Sequence, residues 1–273
     1  MTRELRAGAD TVIRQALLGL QFRDAVDGRV VADGLDVQIN DLWQPQRRQA
    51  LVANRSGVFA LHRFAGLRGD GDDVADSPSA GRFRVTARDL LGRYVPTAVL
   101  PSLPGDGLFA PSGMGSPAAL PPHVPLFSAA TRALPVAMAS LRAELRLAGH
   151  DDTPVPWARL ELWLGSQRLA EGVADERGRA LLAFPLPRPP EPALRTSPAS
   201  LRTVWQWSVV LRGFWHPDRR ADEIPDLEDV QAQPEVLLLQ AAGAPAPLPP
   251  LTLLAGDTLV AASAPSSFLY VAE

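Results

Sequence analysis

Two short stretches, ANRSGVFALHRF (residues 53–64) and ADERGRALLAF (174–184), share one build. Each sets Asn or Asp, two further residues and a glycine ahead of an apolar run, the way a chain enters a strand through a tight turn. Glycine supplies the positive φ of such a turn, and the side chain of Asn54 or Asp175 can cap its backbone amides. Setting Gly57 against Gly178 gives an offset of 121 residues, and the same offset pairs Gly28 with Gly149. It also places Leu35, Val37 and Ile39 opposite Pro156, Ala158 and Leu160, and Leu20 and Phe22 opposite Leu141 and Ala143. Side-chain parity is kept throughout, so the chain reads as a weak internal duplication.

Around these turns the apolar pattern has period two, the mark of half-buried strands. In the first copy LDVQI (35–39), VFAL (58–61) and FRVTA (83–87) alternate. In the second, LRAELRL (141–147), ARLELWL (158–164), RALLAF (179–184) and VWQWSVVLR (204–212) do the same. The opening TVIRQALLGLQF fits either helix or strand. Four or more short strands per copy predict an all-β chain of two antiparallel immunoglobulin- or transthyretin-like β-sandwich modules.

Proline supports that expectation, with 27 in 273 residues, about twice the ordinary ~5%. It is excluded from helix interiors and central strands, so the strands should be short and the loops many. The run from Pro101 to Pro135 is rich in Pro, Gly, Ser and Ala and predicts a linker. The expected division is therefore module one over 1–100, linker over 101–135 and module two over 136–273. Further proline-rich runs at 185–200 and 243–250 predict long loops inside module two.

The remaining composition closes several chemistries. There is no lysine, all 27 basic residues being arginine, and no cysteine. Schiff-base catalysis, a phosphate-loop lysine, disulfides and thiolate metal sites are excluded. A net charge of −3 with both signs interspersed gives no case for nucleic acid. No run approaches the ~18 apolar residues of a membrane span. The N-terminal residues do not resemble a signal peptide, so the expectation is assembly in the cytoplasm.

The quoted turns carry a resemblance. DAVDGRVVADGLDVQI with ANRSGVFAL, and HDDTPVPWARLELWL with ADERGRALLAF, resemble the carboxypeptidase regulatory-like, or transthyretin-like, sandwich. Asn54 with Gly57, and Asp175 with Gly178, match the second of that family's two turns. At the first turn Pro154-Val155 keeps the family's Pro-Val, and Val30-Val31 replaces it in copy one. The resemblance implies an accessory fold and no activity. RDLLGRYVPTAVLPSLP (88–104) and VPLFSAATRALP (124–135), with their flanking modules, resemble small sandwich proteins of extracellular contractile injection systems. That implies a structural cap, baseplate or decorating subunit of a phage-tail-like particle, made in the cytoplasm and released with the particle. Its partners would be other protein subunits in a hetero-oligomer. The alternative is a free-standing module that binds carbohydrate or protein.

Candidate sites are few. His62, His123, His150 and His216 share no metal-ligand spacing and read as ordinary surface or capping histidines. The acidic run RGDGDDVADS (68–77) could offer oxygen donors to calcium but lacks the twelve-residue loop pattern, so a solvated hairpin loop is the plainer reading. No Gly-x-Ser-x-Gly elbow occurs. No catalytic residue, cofactor or metal is expected. Trp205 and Trp207 share a strand face, with Trp163 and Trp215 nearby and Trp157 at matching parity. Such an aromatic face is either sandwich core, a protein interface or a sugar platform.

Overall fold

A computed structural model describes residues 16–64, 83–101, 123–135, 137–188, 205–217 and 224–272. Its first strands are β1 (Leu18–Asp24), β2 (Leu35–Asp41), β3 (Arg48–Leu51), β4 (Val58–Leu61), β5 (Phe83–Asp89), β6 (Thr97–Val99) and β7 (His123–Leu126). Then come β8 (Met138–Leu147), β9 (His150–Pro154), β10 (Arg159–Leu164), β11 (Gln167–Val173), β12 (Arg179–Pro185) and β13 (Gln206–Phe214). A one-turn helix α1 (Leu227–Gln231) is followed by β14 (Glu235–Val236), β15 (Leu239–Ala241), β16 (Ala244–Pro247), β17 (Leu251–Leu254), β18 (Thr258–Ala261) and β19 (Leu269–Val271). The chain is all-β.

The duplication extends to topology. In the first module the order β4-β1-β7 faces the order β3-β2-β5-β6. In the second, β12-β8-β18 faces β11-β10-β13, with β14 and β17 both pairing β13. Each pair of sheets encloses its own core. Phe22, Ile39, Leu61, Phe83 and Leu126 meet in the first, and Leu141, Leu145, Leu160, Leu182, Phe184 and Trp215 in the second. The strand expected at 83–87 runs on to Asp89, and TVIRQALLGLQF resolves as strand from Leu18 onward.

The two turns at the origin of this symmetry match group for group. Asn54 Oδ1 accepts from the amides of Ser56 at 2.9 Å and Val58 at 3.0 Å. Asp175 Oδ1 accepts from those of Arg177 and Arg179, each at 2.9 Å. Gly57 and Gly178 both take positive φ, 73° and 77°, as the sequence predicts. The offset of 121 does not hold along the strands, however. Leu18 pairs with Leu61, four residues past Gly57, and Leu141 pairs with Leu182, four past Gly178. The first strand of copy two is thus displaced by two residues, a slip that keeps every inward side chain inward.

Three expectations need correction. The sheets are not wholly antiparallel, because β7 runs parallel to β1, and β18 and β19 run parallel to β8. The stretch 101–135 is not all linker. Its end forms β7, whose Val124 and Leu126 are buried in the first core. Pro125 is tolerated there because β7 pairs on one side only, which leaves no ladder on the other for its missing N–H to break. Likewise the proline-rich run 243–250 supplies β16, which closes a two-stranded ribbon with β15. Residues 102–122 and 189–200 lie outside the described residues.

Candidate contact surfaces

Strand β13 alternates cleanly, with Trp207, Val209 and Leu211 buried and Gln206, Ser208 and Val210 exposed. Trp207 therefore belongs to the second core, and Trp215, 1% exposed, joins it beyond the strand. Trp205 is half-buried against the same cluster. Of the readings open for the aromatic face, core holds for Trp207 and Trp215 and in large part for Trp205, because the face that carries these rings is the one turned toward β8 and β12.

Trp163 is the exception, half-buried on the other side of its sheet. Its indole N–H donates to Glu161 at 3.0 Å, and the Arg212 guanidinium lies 5.3 Å over its ring. Glu161 also accepts from Arg159 at 2.5 Å and Arg168 at 3.0 Å, and Arg159 stacks 3.8 Å over Phe214. Burial works against the Glu161 charge. The donors Trp163, Arg168 and Arg159 outweigh it and hold the carboxyl below its usual range. This ladder braces the sheet surface.

Among the described residues of module one, the most exposed apolar side chains include Leu90 and Leu91, 73% and 62% exposed, in the turn after β5. That turn is tightly built. The Asp89 carboxylate, wholly buried, accepts from Arg93 through its backbone N–H at 2.5 Å, Nε at 3.1 Å and a terminal nitrogen at 2.9 Å. Arg93 reaches on to the carboxylate of Asp33 at 3.1 Å and its carbonyl at 2.6 Å. Leu90 N–H donates to the Gly34 carbonyl at 2.8 Å. A Cβ on Gly34, at φ 71°, would come within 2.8 Å of Leu91, so glycine lets the leucine lie close. Sequence reading passed over this site. The visible signal was Asp and Arg four residues apart, bracketing two leucines and a glycine.

The two modules meet through small clusters rather than one core. Val95 and Ala98 pack on Trp157 and Ile224, and Phe127 packs on Val173 and Val230. Trp157 takes φ 59°, the one non-glycine residue with positive φ among those described. It is therefore not on a strand's pleat, as parity suggested. A second buried carboxylate, Asp24, ties the strap 127–132 to module one. It accepts from Tyr94 Oη at 2.9 Å, the Val26 amide at 2.9 Å and the Arg132 guanidinium, which also donates to Ser128 at 2.8 Å. Burial and the facing Asp24 push the Tyr94 hydroxyl up to about 12.

Among the described residues no group of three or more His, Asp or Glu is placed to hold a metal ion. The acidic run 68–77 lies outside the described residues. No helix among those described is long and apolar enough to cross a membrane.

No protein-family model matches this chain, and no curated protein matches it. Among solved structures, the Bacillus anthracis TIE protein is similar at 10% identity and a TM-score of 0.23, over 75% of this chain and 29% of the other. A leucine-rich repeat protein from Bacteroides thetaiotaomicron VPI-5482 is similar at 11% identity and a TM-score of 0.21, over 93% of this chain and 27% of the other. This chain spans less than a third of either protein's length, and neither similarity carries a fold or a function across.

Proposed function

We propose that this chain is a non-enzymatic structural subunit that works by protein–protein contact, of the kind found as cap, baseplate or decorating components of phage-tail-like contractile particles. The observation that carries the contact reading is the turn 89–93. Two leucines stand in water on a backbone fixed by a buried carboxylate and an arginine. Fixing the backbone beneath apolar side chains before docking lowers the ordering cost of binding, a condition that favours a hot spot in a small patch. The transthyretin-like reading of the modules is supported by the repeated turn and by the strand order that recurs with its parallel edge strand. The particle itself rests on the sequence resemblance alone.

The test has two arms. Sheath, tube and baseplate proteins purified from the source cells as assembled particles should carry this chain stoichiometrically. A chain with Leu90→Asp and Leu91→Asp should fold normally yet be missing from those particles. Absence of the native chain from the particles removes the particle reading. Full incorporation of the double variant removes the turn as the contact.

A further inference from the structure

The outer face of the first module's sheet carries a second feature, independent of the scaffold reading. Strands β3, β2 and β5 present a concavity of about 290 Å³, lined by Asp36, Gln38, Asn40, Arg48, Thr86 and Arg88 with Pro45 at its rim. These residues form cross-strand rows. Asp36 lies opposite Arg88, Gln38 opposite Thr86, and Asn40 opposite Arg48. Exposed sheet faces are ordinarily polar, so polarity alone says nothing. What bears on binding is how its polar groups are occupied.

Many arginines elsewhere are engaged. Arg93, Arg132, Arg146, Arg159, Arg168 and Arg179 all form ion pairs. Among the described residues Arg48 and Arg88 form none, although both stand exposed beside the concavity. The one carboxylate, Asp36, is instead taken by the Gln38 amide, which donates to both its oxygens at 3.2 and 3.0 Å. Two unpaired guanidiniums therefore flank a floor of amide and hydroxyl groups that can both donate and accept.

From this we infer that the β3-β2-β5 face binds a carboxylate-bearing oligosaccharide. A guanidinium holds a carboxylate through paired N–H donors. Asn40, Gln38 and Thr86 suit the sugar's hydroxyls, each of which donates and accepts. Charge complementarity favours an anion, two guanidiniums against one already bonded carboxylate. The hydroxyl-matching floor favours a saccharide over an acidic peptide, which would leave most of those groups without partners.

The experiment is calorimetric titration of the full chain at low ionic strength with tetragalacturonate and sialyllactose. Maltotetraose serves as the neutral control and tetraglutamate as the acidic, non-sugar control. At least one acidic saccharide should bind. Arg48→Gln and Arg88→Gln should each weaken it by about tenfold, the effect of losing one charge-assisted contact. Arg177→Gln, in the module-two turn, should leave it unchanged. All three side chains are exposed, so unchanged thermal unfolding serves as the folding check. No binding by either acidic saccharide overturns the inference. So does tetraglutamate binding as tightly as the sugar, or an affinity indifferent to both arginine changes.

Discussion

Asp24 and Asp226 are both buried carboxylates, 1% and 9% exposed, and they titrate in opposite senses. At Asp24 burial raises the pKa, but donors from Arg132, Val26 and Tyr94 outweigh it and the net shift is downward. Its stabilisation is complete above the ordinary value of 3.8 and is lost as pH falls through the lower folded value. At Asp226 burial again raises the pKa, the neighbouring Glu228 and Asp229 add to it, and one carboxylate oxygen lacks a hydrogen-bond partner. The ionised form there burdens the fold, a burden that disappears below the ordinary 3.8 and grows as pH rises through the folded value. Asp226→Asn, which keeps an acceptor for the Glu228 amide at the start of α1, should therefore raise the melting temperature at neutral pH and not near pH 3. Asp24→Asn should lower it at neutral pH and flatten the acid limb of the stability curve. Identical pH profiles for the two variants would show the two sites to be alike. The paired glycines make a second residue-scale contrast. A Cβ on Gly178 would meet the Leu145 carbonyl oxygen at 2.5 Å, whereas on Gly57 it would meet the Val30 Cγ1 at 2.4 Å. A side chain can turn aside and a strand backbone cannot. Both alanine substitutions should cost about 1–3 kcal/mol for positive φ, with Gly178→Ala the more damaging in chemical denaturation.

Among the elements, the turn joining β5 to β6 separates stability from contact. Its stability resides in Asp89, and its surface in Leu90 and Leu91. Asp89→Ala strands the Arg93 donors and should cost about 1–3 kcal/mol, with faster hydrogen exchange at the Leu91 and Arg93 amides. Replacing Leu90 by serine should leave unfolding within about 0.5 kcal/mol, as for ordinary surface changes. A large loss of stability from Leu90→Ser would mean that the leucine packs on its own module and is not presented outward. The repeated strands teach a related lesson. β8 slid by two residues against β12 and lost no burial, since strand side chains repeat every two residues. The turns could not slide, because each is fixed by one glycine and one side-chain cap.

For the whole molecule, the joint between modules decides cooperativity. It is made of few apolar side chains, with Trp157 at its centre, supported by the Gln233 amide, which donates to the Trp157 carbonyl at 3.2 Å. Leu227 of α1 packs both on the first core and on the Phe127 cluster, and Arg142 donates to the Ala130 carbonyl of the strap at 2.5 Å. The intact chain should melt in one calorimetric transition. Trp157→Ala, which removes a buried indole at a cost of about 3–5 kcal/mol, should split it into two. A single transition in that variant would show that the strap, not the tryptophan, couples the modules.

The sequence by itself determined the all-β class, the strands on either side of Gly57 and Gly178, and the twin turns, because these depend on local rules. Period-two alternation fixes which residues face inward, and glycine at positive φ fixes where the chain turns. It could not show that β7 lies parallel to β1, since residues of unlike sequence and distant position meet there only through the shared core. Nor could it separate Trp207 from an exposed aromatic: alternation shows that two faces exist, and only the opposing sheet decides which one is covered. The same holds for the arginines. Their number is plain in the sequence, but whether each has a carboxylate beside it depends on which strands become neighbours. Only the tertiary structure left Arg48 and Arg88, on a shared face, without an ion pair among the described residues.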